Sequence, residues 1–157
     1  VKRQHIDVRA HTTAHPETVY ALLRDGASWP RWSPIGSFEL ERRADSDDPE
    51  GVGAIRVFRS RRLGTKVTSR EQIVELVPGR RFSYTLLSGM PIRGYRADVD
   101  LEPTKDGTTI RWHSSFEPKV PGTGRLYRRI LTGFIEECVS GLAAHAAGQR
   151  QDVSHKG

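Results

Sequence analysis

The chain is short of the residues that would tie it to several common classes. It has one cysteine, Cys138, so an internal disulfide is excluded. It has no asparagine, so N-linked glycosylation is excluded as well. No apolar run approaches the roughly eighteen residues that a membrane-spanning helix needs. Val1 to Ala10 alternates charged and apolar side chains, unlike the apolar stretch of a secretory signal. These absences together predict a reducing, cytoplasmic setting with no membrane span. Catalytic signatures are missing too: there is no Gly-x-Ser-x-Gly elbow, no phosphate-binding Gly-x4-Gly-Lys loop and no His-Glu-x-x-His motif. Gly122-Thr123-Gly124 lacks the third glycine of a dinucleotide fingerprint. The six histidines are dispersed; only His11 and His15 stand four apart, and the break at Thr13 to Pro16 keeps them off a common helix. No metal and no cofactor is therefore expected.

What is present is 157 residues with 36% hydrophobic and 28% charged content, enough for one domain with a single core. The net charge of +6 comes mainly from the pairs Arg42–Arg43, Arg61–Arg62, Arg80–Arg81 and Arg128–Arg129. They fall on different expected elements rather than on one face, which argues for a solvated surface and against nucleic acid.

His5 to Thr13 alternates apolar and polar residues as a half-buried strand does. Pro16 suits a helix first turn, and Val19, Leu22 and Leu23 give that short helix an apolar face ending at Asp25-Gly26. Trp29-Pro30-Arg31-Trp32-Ser33-Pro34 is rigid and apolar, fit to plug one end of a core or to line a pocket mouth. Strands are then expected at Phe38–Arg43, Val52–Arg61, Lys66–Val77, Arg81–Ser88, Arg93–Glu102 and Thr108–Glu117. The acidic stretch Asp45 to Glu50 has the wrong residues for a calcium loop and reads as a solvated loop. From Pro121 a long helix carries Leu126, Ile130, Phe134, Cys138 and Leu142 at every fourth position, widened by Leu131 and Val139. Gly148 onward reads as a frayed polar tail, giving one domain over 1–150 and a tail over 151–157.

A lone long helix must bury its stripe on a sheet, and a sheet that curves around it leaves a natural gap. The pattern is α+β. In the order Ala14 to Leu23, Trp29 to Trp32, Gly51-Val52-Gly53 with Arg56, Glu71, Tyr84, Gly107 to Trp112 and the closing helix, the chain resembles the polyketide cyclase/dehydrase and lipid-transport group of the START/Bet v 1-like (SRPBCC) superfamily. The resemblance spans about residues 5 to 147. It implies a helix-grip fold: an antiparallel curved sheet of seven strands around the C-terminal helix, with one or two short helices after the first strand and an apolar cavity between sheet and helix.

Alternation puts Trp112, Ser114 and Phe116 on one inward face, Tyr95, Ala97, Val99 and Leu101 on another, and Phe82, Tyr84 and Leu86 on a third. Arg56 falls among Ala54 and Phe58, with Glu71 at a comparable position on the next strand. Three readings of Arg56 and Glu71 stay open: a structural ion pair fixing strand register, the polar end of a pocket that orients a ligand carbonyl or hydroxyl, or an acid–base function. The expected ligand-binding residues are Trp32, Arg56, Glu71, Tyr84, Tyr95, Trp112, Ser114 and Phe134, around a small hydrophobic molecule such as a lipid or polyketide-like compound. No catalytic residue is assigned; the rival reading is a cyclase or dehydratase working in the same pocket. Met90, at a loop tip, is placed to gate that pocket. Gly133 and Gly141 cost helix stability and are expected where side chains would fill the cavity or strike the sheet. A homodimer through an exposed strand edge is left open.

Overall fold

Apolar alternation sets the strands of this protein, and proline and glycine set where they stop. The computed structural model describes residues 2–62 and 64–154. β1 (Gln4–Thr12) leads into α1 (Pro16–Arg24), a 3-10 turn at Gly26–Ser28, and the short α2 (Trp29–Trp32). β2 (Ser37–Arg42), β3 (Ile55–Arg62), β4 (Thr65–Val77), β5 (Arg81–Ser88), β6 (Ile92–Thr104) and β7 (Gly107–Pro118) follow, and α3 (Gly124–Ser154) closes the chain. The strands form one antiparallel sheet in the order β1-β7-β6-β5-β4-β3-β2, curved around α3. Among the described residues no helix is long and apolar enough to cross a membrane.

Strand alternation decides which side chains reach the interior. Phe82, Tyr84, Tyr95, Ala97, Val99, Leu101, Trp112, Ser114 and Phe116 are all buried, as their period of two predicts. The opposite face carries charge paired across strands: Arg81 with Asp100, Arg96 with Glu75, Arg111 with Asp7 and His113 with Asp100. Much of the arginine excess is thus spent on solvated pairs, each contributing little to stability. β3 begins at Ile55 rather than at Val52, because Gly53 takes a positive φ of 96° in the preceding turn and Val52 stays 54% exposed. At the other end of the chain α3 continues past Gly148 to Ser154.

The helix stripe is displaced from the expected one. Leu131, Ile135, Cys138, Val139, Leu142, Ala143 and Ala146 are buried, whereas Leu126 is 55% and Ile130 40% exposed. A row of every fourth residue advances about 40° around the helix at each step, so it leaves the buried face within a few turns. α3 packs chiefly on β1, β7, α1 and α2, and Thr12 Oγ1 donates to the Ala143 carbonyl at 2.8 Å.

One end of the grip is closed by aromatic rings and a buried cation. The Trp29 ring stacks on Phe58 at 4.9 Å and lies 4.6 Å from Trp32 and 5.7 Å from Trp112, centre to centre. Its Nε1 donates to the Leu23 carbonyl at 3.1 Å, and Trp32 Nε1 donates to Ser28 Oγ at 3.1 Å. Arg56, only 1% exposed, donates from Nη1 to Leu23 O at 2.9 Å and from Nη2 to Arg24 O at 2.5 Å. Its charge is met by Glu50 at 3.0 Å, and its guanidinium carbon lies 5.2 Å from the centre of the Phe82 ring. Burial draws the Arg56 pKa down to about 10, with Glu50 the main influence opposing it, so the group stays cationic at neutral pH.

This corrects two expectations. Arg56 and Glu71 are register partners across β3 and β4, yet the guanidinium is directed to the C-terminal end of α1, where carbonyls and the helix dipole favour a cation. The acidic stretch is solvated only in part. Asp45, Asp47 and Asp48 are exposed, whereas Glu50 turns inward to Arg56 and accepts from the Gly26 amide at 3.1 Å.

The helix glycines have different reasons from those expected. A Cβ on Gly141 would lie 1.7 Å from the Trp32 carbonyl oxygen, so this glycine lets α2 seat against α3. A Cβ on Gly133 would meet nothing within 4 Å, and Gly133 is absent from the cavity wall described below. Gly141→Ala is expected to destabilise the protein by about 2 kcal/mol or more, through overpacking. Gly133→Ala is expected to be neutral or to stabilise by up to about 1 kcal/mol. Urea denaturation of the two variants checks this; equal effects would refute the α2 contact as the reason for Gly141.

Candidate functional site

Because α3 rests on the β1 and β7 side, its first turns stand off from β3, β4 and β5. The space between them is a cavity of about 240 Å³. Alternate residues of β4 (Val67, Ser69 and Glu71) line one wall, with Phe58 and Ser60 of β3 beside them. β5 supplies Tyr84 and Leu86, β6 supplies Tyr95, and α3 supplies Tyr127, Ile130, Leu131 and Phe134. The mouth is marked by its exposed members, Gly89, Pro91 and Ile130, with Met90 half-buried among them. Gly89 takes a φ of 127°, and a Cβ there would lie 2.7 Å from the Thr68 carbonyl oxygen, so the β5–β6 turn is held close over β4.

Polar groups sit at the inner end. Trp112 Nε1 donates to the Tyr84 hydroxyl at 3.3 Å, and the Tyr84 and Tyr95 hydroxyls are 3.5 Å apart. Burial raises both phenol pKa values, so each remains a neutral hydroxyl. Glu71 lies at a register shift between β4 and β5, an irregularity of the kind that re-aims a side chain. It is half-buried, and burial pushes its carboxyl up to about 8 against the opposing influence of Arg56. Among the described residues no group donates a hydrogen bond to the Glu71 carboxylate and no cation pairs with it. Among the described residues the lining contains no lysine, arginine or histidine. A carboxyl in this position is neutral near pH 7 and free to meet whatever enters.

Of the eight expected site residues, the structure brings four to the cavity wall: Glu71, Tyr84, Tyr95 and Phe134. Trp112 stands directly behind Tyr84 and orients its hydroxyl. Ser114 is on the inward face with a buried, unpartnered Oγ, but does not line the cavity. Trp32 and Arg56 belong to the closed end and also lie off the wall. Tyr127 was absent from the expectation because the every-fourth row passes beside it; counting back from Leu131 instead places Tyr127 on the inner face. Ser60 and Ser69 carry no signal beyond strand alternation. A second depression, about 260 Å³, lies on the outer face beside Arg3, Asp7, Arg96, Asp98 and Arg111, but those charges satisfy one another or neighbouring acids.

Comparison with known proteins agrees with this architecture. The chain resembles the START superfamily protein from Mycobacterium smegmatis with a TM-score of 0.76 at 15% identity, over 94% of this chain and 98% of that one. It resembles the di-domain ARO/CYC StfQ from the steffimycin biosynthetic pathway with a TM-score of 0.79 at 16% identity, over 95% of this chain and 52% of that one. Ara h 8.0201 gives a TM-score of 0.73 at 14% identity, over 94% and 99% of the two chains. At these identities the likeness is one of fold. No curated protein matches the sequence. Residues 3–147 match the family described as polyketide cyclase/dehydrase and lipid transport, and the chain belongs to that family.

Proposed function

We propose that the protein binds a small, largely apolar molecule, lipid-like or polyketide-like, in the cavity between the sheet and the first turns of α3. The observation that carries this reading is a cavity of about 240 Å³ with mostly apolar walls and a small polar cluster at its inner end. Affinity comes from burying apolar ligand surface, at about 25 cal/mol per Å² before the costs of ordering. Orientation comes from Glu71 and the Tyr84 and Tyr95 hydroxyls.

Native mass spectrometry of the purified protein, followed by solvent extraction, tests the reading. A retained or added apolar molecule is expected in the unaltered protein. Leu86→Trp places a ring into the cavity from its wall, and is expected to abolish retention without lowering the thermal midpoint. Undiminished retention by Leu86→Trp would move the ligand out of this cavity.

A second reading, an enzyme of cyclase or dehydratase type, is favoured by one observation. The half-buried Glu71 carboxyl stands on the cavity wall, and burial pushes it up to about 8, which favours the protonated form that a general acid needs. Turnover lost in Glu71→Gln with ligand binding retained would establish it; turnover equal to that of the unaltered protein would remove it.

The same carboxyl sets a pH dependence of stability. Its pKa rises from 4.5 to about 8 on folding. Between these values the unfolded chain has released the proton while the folded chain keeps it. Stability therefore falls as pH rises through this window, by on the order of a few kcal/mol. Glu71→Gln is expected to gain stability relative to the unaltered protein between about pH 5 and pH 8. Parallel urea denaturation curves at the two ends of that range would contradict the assignment.

A further inference from the structure

The cavity distinguishes sharply between ligand charges. Among the described residues its one carboxylate is Glu71, and none of them brings a basic side chain to the wall. The nearest buried cation, Arg56, is committed to Glu50 and to the Leu23 and Arg24 carbonyls. Five aromatic rings surround the same space, those of Phe58, Tyr84, Tyr95, Tyr127 and Phe134. Ring faces attract cations, and a half-buried carboxyl with no paired cation is the natural counter-ion for one once it ionises. A fatty acid or other carboxylate ligand would meet Glu71 and no cation among the described wall residues.

Resting on the cavity reading above, we propose that the physiological ligand is an organic cation: an apolar, ring-bearing body with a protonated amine seated on Glu71 and flanked by the aromatic rings. The titratable groups facing Glu71 are Arg56 from β3, Tyr84 from β5 and Tyr95 from β6, with Tyr127 of α3 on the same wall. None of them supplies a free positive charge. Burial favours the protonated Glu71 carboxyl; an ammonium seated beside it favours the carboxylate instead, and the displaced proton is released to solvent.

Isothermal titration of the full chain with naphthylmethylamine, naphthylmethanol and naphthoic acid tests the assignment, since the three share one apolar body and differ in charge. The amine is expected to bind about tenfold or more tighter than the alcohol, as a charge-assisted hydrogen bond provides. The acid is expected to bind more weakly than either. Glu71→Gln is expected to remove the amine preference while retaining alcohol binding. If the alcohol or the acid equals the amine, or the preference survives Glu71→Gln, the organic-cation assignment is overturned and the cavity reading stands. If none of the three binds, both are overturned. Should Glu71→Gln not fold, the ratio measured on the unaltered protein still decides the matter.

Discussion

The buried guanidinium of Arg56 is the constraint from which the rest of the architecture follows. A cation that is 1% exposed is tolerable only if its charge is met and most of its N–H groups are bonded, and three separate segments do this for all but the buried Nε–H. The Leu23 and Arg24 carbonyls come from the end of α1, Glu50 from the acidic loop, and the Phe82 ring from the sheet. α1 and the loop between β2 and β3 are thereby fixed against β3. With that corner fixed, Trp29 stacks on Phe58, and Trp32 presents its carbonyl to Gly141. One end of the sheet is filled and α3 is anchored there. The first turns of α3 are then held away from β3 to β5, and space remains at the opposite end.

The buried Arg56 on β3 and the half-buried Glu71 on β4 are treated in opposite ways. Arg56 has a counter-ion, two carbonyl acceptors and aromatic neighbours; Glu71 has no hydrogen-bond donor and no paired cation among the described residues. A carboxyl left so in a core would lower stability with no structural return. Its place is the wall of a cavity, at a strand irregularity, beside two neutral phenols. A group that the fold leaves without a counter-ion at a cavity wall is available to a ligand, and a group that the fold has already paired is not. That contrast separates the structural residue from the functional candidate, although the sequence presents them as a matched pair.

The legible part of the sequence was the part governed by period. Alternation in β5, β6 and β7 put Tyr84, Tyr95 and Trp112 on the inward face, and all three are buried there. The order of elements and the single long helix pointed to the helix-grip arrangement, which the sheet order bears out. Partner choice was not legible. Arg56 and Glu71 do stand opposite each other in register, but a long side chain selects its partner by reach, and α1 returns to that spot only in three dimensions. The helix stripe was legible near Cys138 and lost near Leu126, because angular drift accumulates with distance. Gly141 and Gly133 look alike in sequence; only the position of the Trp32 carbonyl tells them apart.

The same distinction bears on how far fold likeness can carry function. Structures that share 14–16% identity with this chain preserve the grip of sheet on helix, which depends on apolar alternation and tolerates many side chains. Apolar walls contribute affinity in proportion to buried area and are nearly indifferent to which apolar molecule is enclosed. Discrimination resides in the few polar groups, where one charge-assisted hydrogen bond made or missed changes affinity by about 1.5–3 kcal/mol. On the binding reading proposed above, those groups would be Glu71 and the Trp112–Tyr84–Tyr95 hydroxyl chain. They stand on strand faces where a single substitution leaves the fold intact and alters the charge a ligand must carry. If the cavity is the binding site proposed here, the identity of its ligand is to be sought at its inner end, through the chemistry of Glu71.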